Sequence, residues 1–397
     1  MRDLVAIDLP GGLAFLDALH RVWADGDAVL PLDQRLPGPA RRALLDLARP
    51  REIISPVEHA GRTGVDPPTS WRRHPVDPKA PPVAEGDALV VASSGTSGSP
   101  KLVVHTHAGI VAHARAVHDR LGAAAGADRW LACLPLAHLG GLGVVLRAMV
   151  TGTPVDVLPG FDAEVVADAA ERLGTTLVSL VPTALDRVDP TRFRRVVLGG
   201  AADAADRPLN VVRTYGSTET GGGVVYDGVP LTGVEVTVSD DGAISVRGPV
   251  LARGIRAVDG SVAPCTGPDG WFSTGDVGRW APARSGPDRL MVDGRADDLI
   301  VTGGENVWPD AVEARLRRHP KVAEVAVVGR PDAVWGQRVV AVIVPVDAST
   351  PPTLGDLRDH VRSHLPAHGA PREVALVSSL PRTALGKVRR SELLGPR

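Results

Sequence analysis

A chain of 397 residues is long for one domain and points to two or three. With 44% hydrophobic residues it can bury sizeable cores, and a net charge of −2 excludes the basic footprint that nucleic acid requires. Two distant cysteines, Cys133 and Cys265, exclude a disulfide framework and a cysteine-based zinc site, and they fit a reducing compartment. No apolar run approaches the roughly 18 residues of a membrane helix, and the first residues lack a basic-then-apolar leader pattern. A cytoplasmic protein with no transmembrane segment is expected. Of 44 Lys and Arg only four are Lys (Lys79, Lys101, Lys321 and Lys387), and the other 40 are Arg. Such usage reads as codon bias, so a Lys beside a Gly-rich stretch is informative. Lys101 and Lys387 both sit there, where a compact point charge differs from a planar guanidinium.

In chain order, Leu13 to Val22 reads as an amphipathic helix. Asp66 to Pro82 carries six Pro and reads as an irregular surface connection, and residues 1–85 show no chemistry. Ala88 to Ala92 reads as a short buried strand. It runs into Ser93-Ser94-Gly95-Thr96-Ser97-Gly98-Ser99-Pro100-Lys101, with five small hydroxyl residues and two Gly among nine. Exposed amides, hydroxyls and one ammonium are the equipment for a polyphosphate; the alternative is a flexible linker. The Walker A spacing is absent. Thr106 reads as the N-cap of an Ala-rich helix to about Leu121. His105, His107, His113 and His118 lack metal-ligand pairing and read as ordinary surface or helix-start histidines.

Trp130 to Leu134 is strand-like and leads into Pro135 to Gly143, where His138 precedes a Gly-rich turn as a pocket wall or a helix-start residue. Thr153 to Leu158, Leu177 to Val181 and Arg195 to Leu198 then alternate as strands with a helix at Ala163 to Leu173, the pattern of a parallel α/β sheet. Gly199-Gly200-Ala201 follows one such strand, where open sheets bind ligands. Val211 to Thr214 ends in Tyr215-Gly216-Ser217-Thr218-Glu219-Thr220-Gly221-Gly222-Gly223. There an aromatic can stack on a base, hydroxyls can reach a phosphate and a carboxylate can hold Mg²⁺; the alternative is a Gly-rich turn. Gly233 to Arg256 reads as β-hairpins, and Asp276 lies on a Gly turn. Beyond Gly294, Ile300 to Thr302 leads into Gly303-Gly304, and a helix near Pro309 stops at Pro320. Strands at Val322 to Val328 and Arg338 to Val346 follow, then a capping box at Thr353 to Asp356 with an apolar helix face.

These motifs, in this order, resemble the adenylate-forming superfamily of acyl-CoA synthetases, adenylation domains and luciferases. Ser93 to Lys101 resembles its phosphate loop, Pro135 to Gly143 the segment bordering the acyl site, and Gly199 to Ala201 and Tyr215 to Thr220 the adenine and AMP segments. Ser273 to Asp276 resembles the ribose-binding segment, Gly294 to Glu305 the hinge, and Pro381 to Lys387 the mobile catalytic lysine. Tyr215 to Leu231 is most similar to o-succinylbenzoate–CoA ligases of menaquinone biosynthesis, although the first hundred residues are shorter than in typical superfamily members.

The resemblance implies a large N-terminal domain of layered α/β sheets over 1–294 and a small mobile α+β domain over 295–397. It implies two half-reactions, acyl-adenylate formation from ATP and then thioester formation with CoA, aided by Mg²⁺. In that scheme Ser93, Ser94, Gly95, Thr96, Ser97, Gly98 and Lys101 hold phosphates. Glu219 holds the metal, Thr218 the AMP phosphate, and Gly199, Gly200, Ala201, Tyr215, Gly216 and Ser217 the adenosine side. Asp276 and Arg295 hold the ribose. His138, Gly221, Gly222, Gly223 and Val225 line the acyl pocket, with the glycines leaving room for a ring. Asp297 is the hinge, Gly303 and Gly304 line the CoA tunnel, and Lys387 bridges carboxylate and phosphate. A homo-oligomer fits the scheme. Another aryl- or acyl-CoA ligase, a stand-alone adenylation enzyme and a non-catalytic nucleotide-binding regulator are the competing readings.

Overall fold

A computed structural model describes residues 2–57, 70–94, 100–200, 207–382 and 388–394. The described residues form two compact units: 2–200, 207–236 and 246–272 in the first, 237–245 and 273–394 in the second.

The first unit holds two large sheets. One has seven strands, of which Val155–Val157, Trp130–Ala132, Leu177–Leu180, Arg195–Leu198 and Val211–Ser217 are mutually parallel. Their short Val- and Leu-rich runs suit a sheet covered on its faces. Leu131, Val178, Leu180, Val196 and Leu198 pack against Val166 and Ala169 of the helix Ala163–Arg172, which Asp162 caps through Glu164 N–H and Val165 N–H. The Tyr215–Gly223 stretch is more ordered than a Gly-rich loop. The strand continues through Ser217, turns, and returns antiparallel as Gly222–Tyr226. A Cβ on Gly216 would lie 2.0 Å from the Gly222 carbonyl oxygen, so only Gly permits that close approach.

The other sheet has eight strands. Leu4–Ile7, Ala28–Pro31, Glu52–Pro56 and Trp71–Pro75 supply half of them. The N-terminal region is therefore an integral part of the core. Trp71–Pro75 corrects the reading of Asp66 to Pro82 as wholly irregular: it pairs antiparallel with Glu52–Pro56 at the sheet edge, where Pro is tolerated. The strands Asp87–Ser94 and Pro100–Thr106 pair antiparallel, with Ser93 opposite Lys101. The Ser/Gly segment thus joins two strands of a hairpin. Thr106 caps the helix His107–Leu121, accepting from Gly109 N–H at 3.1 Å.

The second unit carries a five-stranded sheet and most of a four-stranded one, whose strands are Glu235–Val238, Ala243–Arg247, Phe272–Ala281 and Arg289–Arg295. The hairpins expected over Gly233 to Arg256 are split, because Gly254–Arg256 joins the eight-stranded sheet instead. In the five-stranded sheet, alternation sorts side chains by face. Val325 and Val327 meet the helices Pro309–Leu316 and Leu354–Arg362, while Ala326 and Val328 meet Leu380 and Leu393. The capping box is present: Asp356 N–H donates to Thr353 Oγ1 and Thr353 N–H to the Asp356 carboxylate, each at 3.1 Å.

Candidate active site

In the first unit the nucleotide-type residues gather at the C-terminal ends of the parallel strands, the usual ligand edge of an open sheet. Gly199 follows Arg195–Leu198, and its N–H donates to Leu180 O at 3.1 Å. Thr214 Oγ1 donates to Leu198 O, and Cβ atoms on Gly199 or Gly223 would meet this hydroxyl at 2.9 and 3.0 Å. The Leu198–Gly199 and Gly223 backbones therefore close on Thr214, the residue before Tyr215 in its strand. Within the turn, Ser217 N–H donates to Thr220 Oγ1 at 2.8 Å, and Thr220 Oγ1 donates to Gly222 O at 2.7 Å. Glu219 anchors its backbone by accepting from Ala252 N–H at 2.8 Å. Its carboxylate forms no ion pair among the described residues, and neither does the exposed Lys101 ammonium. An uncommitted carboxylate fits a hard cation, and an uncommitted ammonium fits a phosphate. Gly95 to Ser99 and Ala201 lie outside the described residues, as does Lys387.

A cavity opens beside this turn, lined by His105, His113, Leu146, Arg147, Gly221 and Val250 among others. Arg147 sits in the apolar helix Leu139–Thr151, is 5% exposed, and stacks 4.7 Å from the centre of the buried Trp130 ring. Its Nη2 donates to Ser179 Oγ at 3.0 Å, and its Nε has no partner among the described residues. No carboxylate pairs with it among the described residues, and burial pulls its pKa below the ordinary guanidinium value.

His105 and His113 correct the expectation of ordinary surface or helix-start histidines. Both are buried, at 3% and 6% exposure. His113 Nε2–H donates to Gly223 O at 2.9 Å, and its ring covers Gly221 and Gly222 at 3.6–3.9 Å from where their Cβ atoms would stand. The space above these glycines is thus taken by His113. Burial pushes both imidazoles down to about 4, with the Arg147 charge adding to the effect at His113. Val225 is buried in its strand, outside the cavity lining. His138 caps the helix Leu139–Thr151 with extended backbone, and its Nε2–H donates to Asp33 at 3.1 Å, while its neighbour Leu139 reaches the cavity. Burial of Asp33 opposes ionisation. The paired Arg35 bonds at 2.9 and 2.7 Å and the His138 contact outweigh it and hold the carboxyl well below its usual range. Asp33 belongs to the stretch that showed no chemistry as sequence.

In the second unit, Asp276 and Arg295 face each other across an antiparallel pair, with Nη1 3.1 Å from Oδ1. The same Nη1 donates to Thr274 O at 2.7 Å, and Gly275, at φ 71°, leaves room for the guanidinium. Asp297 is exposed in the short turn Ala296–Asp298. Gly303 and Gly304, at φ 63° and 82°, make the two-residue turn between Ile300–Thr302 and Glu305–Val307, a conformation that selects Gly-Gly.

Arg147, His105 and His113, which line the cavity, and Asp33, which pairs with His138, are not singled out as site candidates by the sequence. A lone charge within the apolar run Leu142 to Val150 is the signal that could have found Arg147.

Residues 1–256 match the family described as AMP-binding enzyme, and residues 311–387 match the AMP-binding enzyme C-terminal domain. The probable 2-succinylbenzoate–CoA ligase of Mycobacterium tuberculosis is 44% identical over 327 residues, covering 77% of this chain and 84% of that protein. The indoleacetate–CoA ligase of Aromatoleum aromaticum is 31% identical over 450 residues, covering 97% and 86%. The o-succinylbenzoate CoA synthetase of Bacillus subtilis, solved with its acyl-adenylate intermediate, superposes with a TM-score of 0.81 at 26% identity, covering 100% of this chain and 88% of that one. Fold, ordered motifs and relatives agree, and the chain belongs to the AMP-binding enzyme family, the adenylate-forming acyl-CoA synthetases.

Proposed function

We propose that the chain is an AMP-forming acid–thiol ligase that converts o-succinylbenzoate, ATP and CoA to o-succinylbenzoyl-CoA, AMP and diphosphate, a step of menaquinone biosynthesis. The observation that carries the substrate choice is Arg147, a buried guanidinium that lines a mostly apolar cavity and has no carboxylate partner among the described residues. A buried unpaired charge is costly to keep. A substrate with two carboxylates explains it: one is activated, the other pairs with Arg147 by a forked hydrogen bond. Indoleacetate, benzoate or a fatty acid would leave the guanidinium unpaired.

In the first half-reaction a carboxylate oxygen attacks the α-phosphorus. The P–O bond to the β-phosphate breaks, and diphosphate leaves with the electron pair. In the second, the CoA sulfur attacks the acyl carbon, the C–O bond to AMP breaks, and the thiol proton goes to solvent. Positioning and charge neutralisation are the protein's main contributions. Ser93, the rest of the Ser/Gly segment and Lys101 hold the β- and γ-phosphates. Glu219 would hold Mg²⁺, which supplies charge neutralisation at the phosphates. Thr218 bonds the α-phosphate, Tyr215 faces the adenine, and Gly199 and Gly200 keep the backbone clear. Asp276, oriented by Arg295, takes the ribose hydroxyls. Lys387 bridges the attacking carboxylate and the phosphate. With a functional boundary at 294/295, Asp297 is the pivot that exchanges Lys387 for the Gly303–Gly304 turn between half-reactions.

A diphosphate-release screen over carboxylic acids, with and without CoA, tests this reading. Release with o-succinylbenzoate, and CoA-dependent turnover, are expected. Equal or better turnover of benzoate or a fatty acid would overturn the substrate choice.

A further inference from the structure

Leu177–Leu180 is an interior strand of the seven-stranded sheet, buried throughout and apolar but for Ser179. Val178 and Leu180 pack towards the helix Ala163–Arg172, so alternation turns Ser179 to the other face of the sheet. There it meets the helix Leu139–Thr151: Arg147 Nη2 donates to Ser179 Oγ at 3.0 Å. A buried hydroxyl needs a polar partner, and this one has the cation that lines the cavity. The rest of the guanidinium is held as well. Its carbon stands 4.7 Å from the centre of the Trp130 ring, and a Cβ on Gly143 would lie 3.3 Å from Nη1. Nε is buried without a partner among the described residues. Ser179 thus holds Arg147 with a neutral oxygen, which fixes the direction of the guanidinium and leaves its charge uncompensated. A carboxylate in its place would neutralise that charge.

We infer that Ser179 is a positioning residue that acts through Arg147 and sets the preference for an acid with a second carboxylate. A long side chain that is already held loses little freedom when its ligand arrives. Such preorganisation raises affinity without a new contact to the ligand, and a rigid strand is the element best suited to supply it. The inference rests on the proposed function, since Arg147 meets a second carboxylate only in that reading.

The test is steady-state kinetics of thioester formation with o-succinylbenzoate and with benzoate, which has one carboxylate. Ser179→Ala should raise the Michaelis constant for o-succinylbenzoate about fivefold, within the range of one hydrogen bond, and leave kcat and the Michaelis constant for ATP unchanged. The specificity constant for benzoate should stay as in wild type; this also reports that the variant is folded. Ser179→Thr keeps the hydroxyl and should behave like wild type. In the Arg147→Leu background Ser179→Ala should have no further effect, because the residue through which it acts is gone. An unchanged Michaelis constant in Ser179→Ala, an equal loss for both acids, or a rise that persists in the Arg147→Leu background overturns the inference alone. If Arg147→Leu itself leaves the Michaelis constant for o-succinylbenzoate unchanged, the second-carboxylate reading falls and this inference with it.

Discussion

Removing the Arg147 guanidinium separates the two roles that a buried cation can have. If it serves substrate, Arg147→Leu raises the Michaelis constant for o-succinylbenzoate by about 10–100-fold, the worth of a charged hydrogen bond, and leaves that for ATP unchanged. The same variant should be at least as heat-stable as wild type, because an unpaired buried charge is gone. Thermal melting and steady-state kinetics read the two effects; a large loss of stability with no change in the Michaelis constant would make Arg147 structural. The buried histidines give a second residue-scale prediction. Their imidazoles titrate near 4 when folded, against 6.5 when unfolded. The unfolded chain thus binds more protons between those values, so stability is full above about pH 6.5 and falls as the pH drops towards 4. Denaturant titrations at pH 7 and pH 5 should show the fall, and His105→Asn with His113→Asn should flatten it.

At the scale of elements, local signals carried the reading furthest. Thr353 and Asp356 are three residues apart and make the cap that their spacing predicts. Thr353→Ala should cost about 1 kcal/mol in a denaturant titration. Arg195–Leu198 and the helix Pro309–Leu316 were equally legible, because period and end signals lie within each segment. What escaped depends on distant partners. Trp71–Pro75 holds two charged residues and a terminal Pro, and it becomes a strand only by pairing with Glu52–Pro56. His113 is buried because it meets Gly223, 110 residues away. The Tyr215–Tyr226 hairpin shows both sides of this. Its Gly content was visible, but the reason for Gly216, a carbonyl 2.0 Å from any Cβ, lies across the turn. Gly216→Ala must push the two strands apart, and a loss of about 1–3 kcal/mol is expected together with loss of adenylation. Diphosphate release and unfolding, measured on the same preparation, check this.

At the scale of the whole molecule, the ordered motifs were legible because each is short and contiguous. The cavity proposed for the second carboxylate was not, since its lining joins a helix, a strand and a turn far apart in sequence. The two-step scheme makes separable predictions for the second unit. Asp297→Pro fixes φ near −65° at the proposed pivot. Adenylate formation should persist while thioester formation falls; equal loss of both would mean that the junction has unfolded. Lys387→Ala should slow adenylation by about 10²–10³-fold, the worth of one preorganised electrostatic contact, and spare thioester formation from supplied acyl-adenylate. Lys101→Ala should mainly raise the Michaelis constant for ATP.

The most direct measurement of the central claim is the specificity constant for thioester formation. Purified protein with ATP, Mg²⁺ and CoA is given o-succinylbenzoate, benzoate or indoleacetate, and the thioester is identified by mass. The account predicts o-succinylbenzoyl-CoA, with a specificity constant for o-succinylbenzoate at least about tenfold above the others, the discrimination expected when one site charge is left unpaired. A specificity constant for benzoate or indoleacetate equal to or above that for o-succinylbenzoate would contradict it.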